Sequence, residues 1–123
     1  MFKTFKFNVG GYLAGYDEIQ LVATEDEDQK YILNIKSLYE DMPNMPKKVS
    51  KLLVELFDQK LDEIGVRNWD HNYINEAVLD GIQWDLEIDD MKWSGSNAFP
   101  KGFDDMISLL TDLFGFPEQS LYE

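Results

Sequence analysis

IQWDLEIDDMKWSGS, residues 82–96, carries the plainest structural pattern in the sequence. Ile82, Trp84, Leu86 and Ile88 alternate with Gln83, Asp85, Glu87 and Asp89, the two-residue period of a strand with one apolar and one acidic face. Asp tolerates left-handed backbone geometry, so Asp89 and Asp90 fit a tight turn, and Met91 with Trp93 carries the chain back on a second strand. Such a hairpin needs other elements to cover its apolar side.

Upstream, Phe5, Phe7 and Val9 alternate within residues 2–9, and Gly10, Gly11 and Gly15 then punctuate the chain. DEIQLVAT from Asp17 and KYILNIK from Lys30 read as two further strands of an antiparallel hairpin, with Glu25, Asp26, Glu27 and Asp28 at its tip. MPNMP, residues 42–46, ends this region because its prolines remove backbone donors. Val49, Leu52, Leu53, Leu56, Phe57, Leu61 and Ile64 then recur at three- and four-residue spacing, predicting an amphipathic helix from about Pro46 to Ile64, capped by Gly65. Phe103, Met106, Ile107, Leu110, Leu113 and Phe114 predict a second helix, begun by Asp104 and Asp105 and stopped by Gly115 and Pro117. The expected order is βββαββα. Strands and helices segregate rather than alternate, so the fold class is α+β, a mainly antiparallel sheet with two amphipathic helices on one face.

The 123 residues suit a single compact domain spanning 1–123, with 44% hydrophobic residues to build its core. Twenty-four acids against eleven bases leave a formal net charge of -13. That balance opposes direct nucleic-acid binding, which depends on Lys and Arg displacing counterions, and opposes an anionic membrane surface for the same reason. With no cysteine there is no disulfide, thiolate metal site or cysteine nucleophile, and a reducing cytoplasm is the expected setting. No apolar run approaches the roughly 18 residues of a membrane span.

Each candidate chemistry has a plainer competitor. His71, the one histidine, lies beside Asp70 in NWDHNY, yet adjacency does not make a catalytic dyad, and capping or exposure is its default fate. Asp85, Glu87 and Asp89 share a strand face and could offer oxygens to a hard cation, but EF-hand spacing is missing and a solvated acidic face is the ordinary outcome. In WSGSNAFPKGF, residues 93–103, Gly95 and Gly102 precede a helix as in phosphate loops. Asp104 and Asp105 already occupy that helix's first turn, and no GKS or GKT ending is present. No cofactor or metal is expected. Arg67, Trp69, His71 and Tyr73 crowd one irregular segment, and Trp69 is the expected exposed contact of the group.

LDGIQWDLEIDDMKWSGSNAFPKGFDDMISLL, residues 79–110, carries Asp80, Gly81, Trp84, Leu86, Gly95, Ser96, Asn97, Ala98, Phe99, Pro100 and Phe103 in a pattern that resembles the C-terminal part of small uncharacterised bacterial and phage-encoded proteins. In that pattern Asp-Gly leads into a Trp-x-Leu strand, a Gly-Ser-Asn-Ala-aromatic-Pro turn and a terminal helix. The resemblance covers about a quarter of the chain. Asp89-Asp90 is shorter than the glycine-containing hairpin usual in the pattern. It implies a shared folding module and no activity.

The expected function is a non-enzymatic acidic interaction module, an inhibitor occupying the basic surface of a nucleic-acid-binding protein through Asp85, Glu87, Asp89, Asp90, Glu25, Asp26, Glu27, Asp28 and Trp69. One alternative is a polar-ligand-binding domain or enzyme using loops 67–75 and 94–99, with His71, Asp70, Asn97 and Ser96 at the ligand. A second is a structural homo-oligomer subunit joined through a sheet edge or Trp69.

Overall fold

A computed structural model describes residues 1–11, 15–25, 30–37, 46–77 and 81–119. Asp26, Glu27 and Asp28 of the acidic tip, residues 42–45 of the proline segment, and Leu79 with Asp80 lie outside the described residues. The strands are β1 (Thr4–Gly11), β2 (Gly15–Ala23), β3 (Tyr31–Lys36), β4 (Lys47–Val49), β5 (Asn72–Ile74), β6 (Ile82–Ile88) and β7 (Met91–Ser96); the helices are α1 (Lys51–Ile64) and α2 (Phe103–Phe114). A single 3-10 turn, Val66–Asn68, follows α1.

Among the described residues the strands form one sheet in the order β4-β3-β2-β1-β6-β7-β5. Every neighbouring pair is antiparallel except β5 with β7. The fold is therefore α+β with a mostly antiparallel sheet. It departs from the expected order by two short strands, one at each edge. Three residues carry no periodicity to reveal a strand: β4 exists because Val49 faces Tyr31, and β5 because Tyr73 faces Gly95. The expected helix start at Pro46 is corrected accordingly. Residues 47–49 extend the sheet, Ser50 caps α1 by accepting from the Leu53 amide at 3.2 Å, and Gly65 closes the helix in the left-handed region at φ 89°.

Register explains the core. Phe5, Phe7 and Val9 of β1 lie opposite Leu21, Ile19 and Asp17 on one side and Ile88, Leu86 and Trp84 on the other, so one apolar face runs across the central strands. Phe57 of α1 meets Phe5 edge to face at 5.0 Å, and Phe103 of α2 meets Phe7 at 5.8 Å. Buried side chains of the sheet and both helices form one cluster. Of α1, Val54, Phe57 and Leu61 are buried, whereas Leu52 is 78% exposed and Leu56 42%. At about 100° per residue, Leu52 and Leu56 project opposite Val54. The apolar set read from the sequence includes Leu52 and Leu56, which the sheet does not cover, and omits Val54, which it does.

The three indoles hold the connecting segments in place. Trp84 Nε1 donates to the Ala98 carbonyl at 3.0 Å, Trp69 Nε1 to Lys101 at 3.0 Å, and Trp93 Nε1 to Trp69 at 3.1 Å. Trp84 and Gly95 are cross-strand partners, and a methyl at Gly95 would stand 2.1 Å from Trp84 Nε1. At Gly81 it would stand 1.5 Å from Asn97 Oδ1. Each glycine leaves the space that a neighbouring side chain fills. No helix of the described residues is long and apolar enough to cross a membrane.

Candidate functional site

Asp85 and Glu87 project from β6 onto the sheet face away from the core, where β1 sets Asn8 and Lys6 beside them and β7 sets Ser94 and Lys92. Lys92 Nζ lies 3.8 Å from Glu87 and Lys6 Nζ 3.3 Å from Glu18, with Lys36 opposite Glu18 on β3. The acidic row expected from β6 alone is thus interleaved with lysines from the flanking strands. Tertiary pairing turns one strand's acidic face into a surface of mixed sign.

Asp89 does not share that face. It occupies the β6–β7 turn at φ 52°, and its Oδ1 accepts the backbone amides of Lys3 at 2.8 Å and Thr4 at 3.0 Å. The Asp89 amide returns a bond to the Thr4 carbonyl. Asp90 is exposed in the same turn, and Glu25 is exposed just beyond β2. Among the described residues no group of three or more His, Asp or Glu side chains could hold a metal ion.

Trp69 corrects the exposed contact expected of it. It is 8% exposed, with ring centroids 6.2 Å from both Trp84 and Phe103. The left-handed turn at Gly65 folds the chain back on the end of α1, and the indole goes under the 101–102 backbone.

The four residues of the ligand-binding alternative do not converge as a set. His71 stacks on Trp93 at 5.4 Å and 13°, and its Nδ1 lies 2.6 Å from the Lys92 carbonyl. A carbonyl only accepts, so Nδ1 carries the proton and, in the neutral ring, Nε2 holds the free lone pair. Asp70 makes no hydrogen bond to His71; its backbone amide instead donates to Tyr73 Oη at 2.9 Å. Asn97 adopts φ 58°, donates its amide to Ile82 at 2.8 Å, and lays its side chain over Gly81. Ser96 is a β7 residue opposite Gln83. The residues that do join His71 are Asn8, Asp85, Glu87, Lys92 and Ser94, around a groove of about 420 Å³. A second groove of about 490 Å³ shares Asn8 and Asp85 and reaches Tyr16 and Lys36.

The helical layer carries a different surface. Along its outer side α2 sets Asp105, Ser108 and Asp112 at helical spacing, opposite the buried Met106, Leu110 and Phe114. One groove, of about 740 Å³, runs between this ridge and the end of α1, lined by Ile64, Trp69, Gly102 and Leu109 with Glu63, Asp105 and Asp112 among its polar groups. Another, of about 410 Å³, lies on the far side of the ridge and adds Asp104 and Glu118. Lys60 pairs with Glu63 at 3.5 Å. Asp105 and Asp112 have no ion-pair partner among the described residues. Their spacing is visible in the sequence, but only α2's orientation reveals that it borders an apolar groove.

Among the described residues two titrating groups depart from their ordinary values. Burial raises the Tyr31 phenol, and the negative charges of Asp58, Asp89 and Glu55 push it further in the same direction; its hydroxyl donates to the Phe2 carbonyl. For Arg67 burial acts to lower the pKa, but hydrogen bonds and charges from Asp58 and Asp62 together outweigh it and raise the value. Arg67 Nη1 lies 2.6 Å from Asp62, so the guanidinium ties the turn after α1 to the helix's last turns. No family model matches the chain, and no curated protein matches it either.

Proposed function

We propose that the chain is a non-enzymatic acidic interaction module, an inhibitor that covers the basic surface of a nucleic-acid-binding protein, and that its helical layer makes the contact. The observation that carries this reading is the outer side of α2. Asp105 and Asp112 stand there without ion-pair partners among the described residues, flanked by Asp104 and Glu118 and beside an apolar groove, while on the sheet Glu87 pairs with Lys92 and Asp85 lies between Asn8 and Ser94. Folded acids held at fixed spacing imitate a phosphate backbone better than a flexible tail does, because they lose less conformational freedom on binding. Opposite charge speeds encounter with a basic partner and weakens as salt shortens the Debye length to about 8 Å near physiological strength.

The test is capture of partners by the immobilised chain at low and high salt, beside a triple variant Asp104→Asn, Asp105→Asn, Asp112→Asn. The expected result is a nucleic-acid-binding protein held at low salt, released by salt, lost from the variant and displaced from its nucleic acid by the soluble chain. A partner bound equally by the variant, or bound without competing with nucleic acid, refutes the reading.

A second reading takes the His71 groove as a polar-ligand site. It is favoured by one observation: His71, whose Nδ1 is engaged by the Lys92 carbonyl, lines one groove with Asp85 and Glu87. Ligand-induced shifts in Tm that vanish in His71→Ala and persist in Asp105→Asn would select it over the first.

A further inference from the structure

We infer that the groove between α1 and α2 receives a basic amphipathic helix of the partner, laid along α2 with cations two turns apart and apolar side chains between them. This inference rests on the interaction reading above and specifies the occupant. The floor is apolar: Ile64 from α1, Leu109 from α2 and the edge of Trp69 meet across Gly102. Gly102, at φ 90°, permits this approach, since a methyl there would lie 2.7 Å from Ile64 Cγ2.

The acids set the spacing. Asp105 and Asp112 are seven residues apart on one helix, which puts them about 10.5 Å apart along its axis. A single guanidinium cannot reach both. Two arginines at i and i+7 of an opposing helix match the distance, and apolar residues at i+3 and i+4 then face Leu109 and Ile64. This is the helix-in-groove mode of recognition, with apolar anchors for affinity and a charged rim for register. Charge complementarity favours a cationic occupant: Glu63 and Lys60 of this groove pair with each other, which leaves Asp105 and Asp112 on its α2 rim against Lys101.

The probe is a synthetic helical peptide with arginines at i and i+7 and leucines at i+3 and i+4, compared with a scrambled peptide of identical composition. Binding to the intact chain is followed by nitrogen-15 chemical shifts, with the Trp69 indole N–H as the reporter inside the groove. The patterned peptide is expected to shift Trp69 and the α2 amides and to bind about tenfold more tightly than the scrambled one. It should lose about tenfold on the double change Asp105→Asn, Asp112→Asn. Ser108→Arg, at an exposed position shared by both grooves, should abolish binding while leaving the rest of the spectrum in place. Equal affinity for the two peptides, or shifts confined to the open sheet face, overturns the groove. If salt-sensitive binding of basic peptides persists in that case, the wider interaction reading stands; if no basic peptide binds at all, both fall.

Discussion

Replacing Gly95 by Ala tests the central packing argument. Gly95 is the cross-strand partner of Trp84, and the added methyl would sit 2.1 Å from Nε1, 2.4 Å from Cε2 and 2.8 Å from the Ala98 carbonyl oxygen. Relief requires the indole to move by more than about 1 Å to regain ordinary carbon contact near 3.5 Å. Trp84 is 1% exposed and its ring centroid is 5.0 Å from that of Phe103, so no empty space receives it. Moving it also breaks the 3.0 Å bond from Nε1 to Ala98. Overpacking costs about 1–3 kcal/mol, and a stranded buried donor and acceptor cost about 1–3 kcal/mol more. Gly95→Ala is therefore expected to lose about 2–6 kcal/mol, a large part of a small domain's stability. Urea denaturation followed by far-UV circular dichroism measures it without relying on the displaced tryptophan. Trp84→Phe supplies the companion variant: the smaller ring leaves room for the methyl, so the double variant should be more stable than the sum of the two single losses by about 1–3 kcal/mol. A Gly95→Ala loss below about 0.5 kcal/mol, or strict additivity in the cycle, would refute the reasoning.

Three further outcomes follow from the same geometry. Asp89→Ala removes the acceptor of two backbone amides and should cost about 1.5–3 kcal/mol; Asp89→Asn, which keeps an acceptor and tolerates positive φ, should lose less than half of that in the same denaturation assay. Gly81→Ala should cost about 1–3 kcal/mol by driving a methyl into the Asn97 side chain, and adding Asn97→Gly should restore most of the lost Tm. The raised Tyr31 pKa means the folded state holds this proton more tightly than the unfolded chain. Its contribution is complete below the unfolded value of about 10 and is lost as pH rises through the higher folded value. As pH rises above about 10 the parent should lose more stability than Tyr31→Phe, and parallel pH profiles would contradict this.

The pattern at residues 81–103 now has a physical account. Gly95 admits the Trp84 indole, Ala98 supplies its acceptor, Gly81 admits the Asn97 side chain, and Asn97 takes the left-handed turn that ends β7. Gly102 brings α2 against the end of α1. These are packing roles, so what WSGSNAFPKGF first suggests, a phosphate loop, gives way to a bend that seats one indole and starts one helix.

The long elements are legible in the sequence. Alternation in Phe5–Val9 and Ile82–Ile88 and the helical spacing of Phe57 and Leu61 are local consequences of side-chain direction, and each survives in the fold. The short edge strands β4 and β5 escaped, because three residues pair only where a partner edge is already in place. Trp69 escaped for a related reason: its burial depends on a reversal at Gly65 that brings it under a segment more than thirty residues away. The charges were least legible of all. Composition gives a net -13, but whether an acid stands alone depends on which strands flank it. Lys6 and Lys92 come to Glu87 only through the order β1-β6-β7, and Asp105 and Asp112 border an apolar groove only because α2 packs beside α1. Local periodicity is written in single segments, whereas a surface belongs to the neighbours that tertiary packing selects.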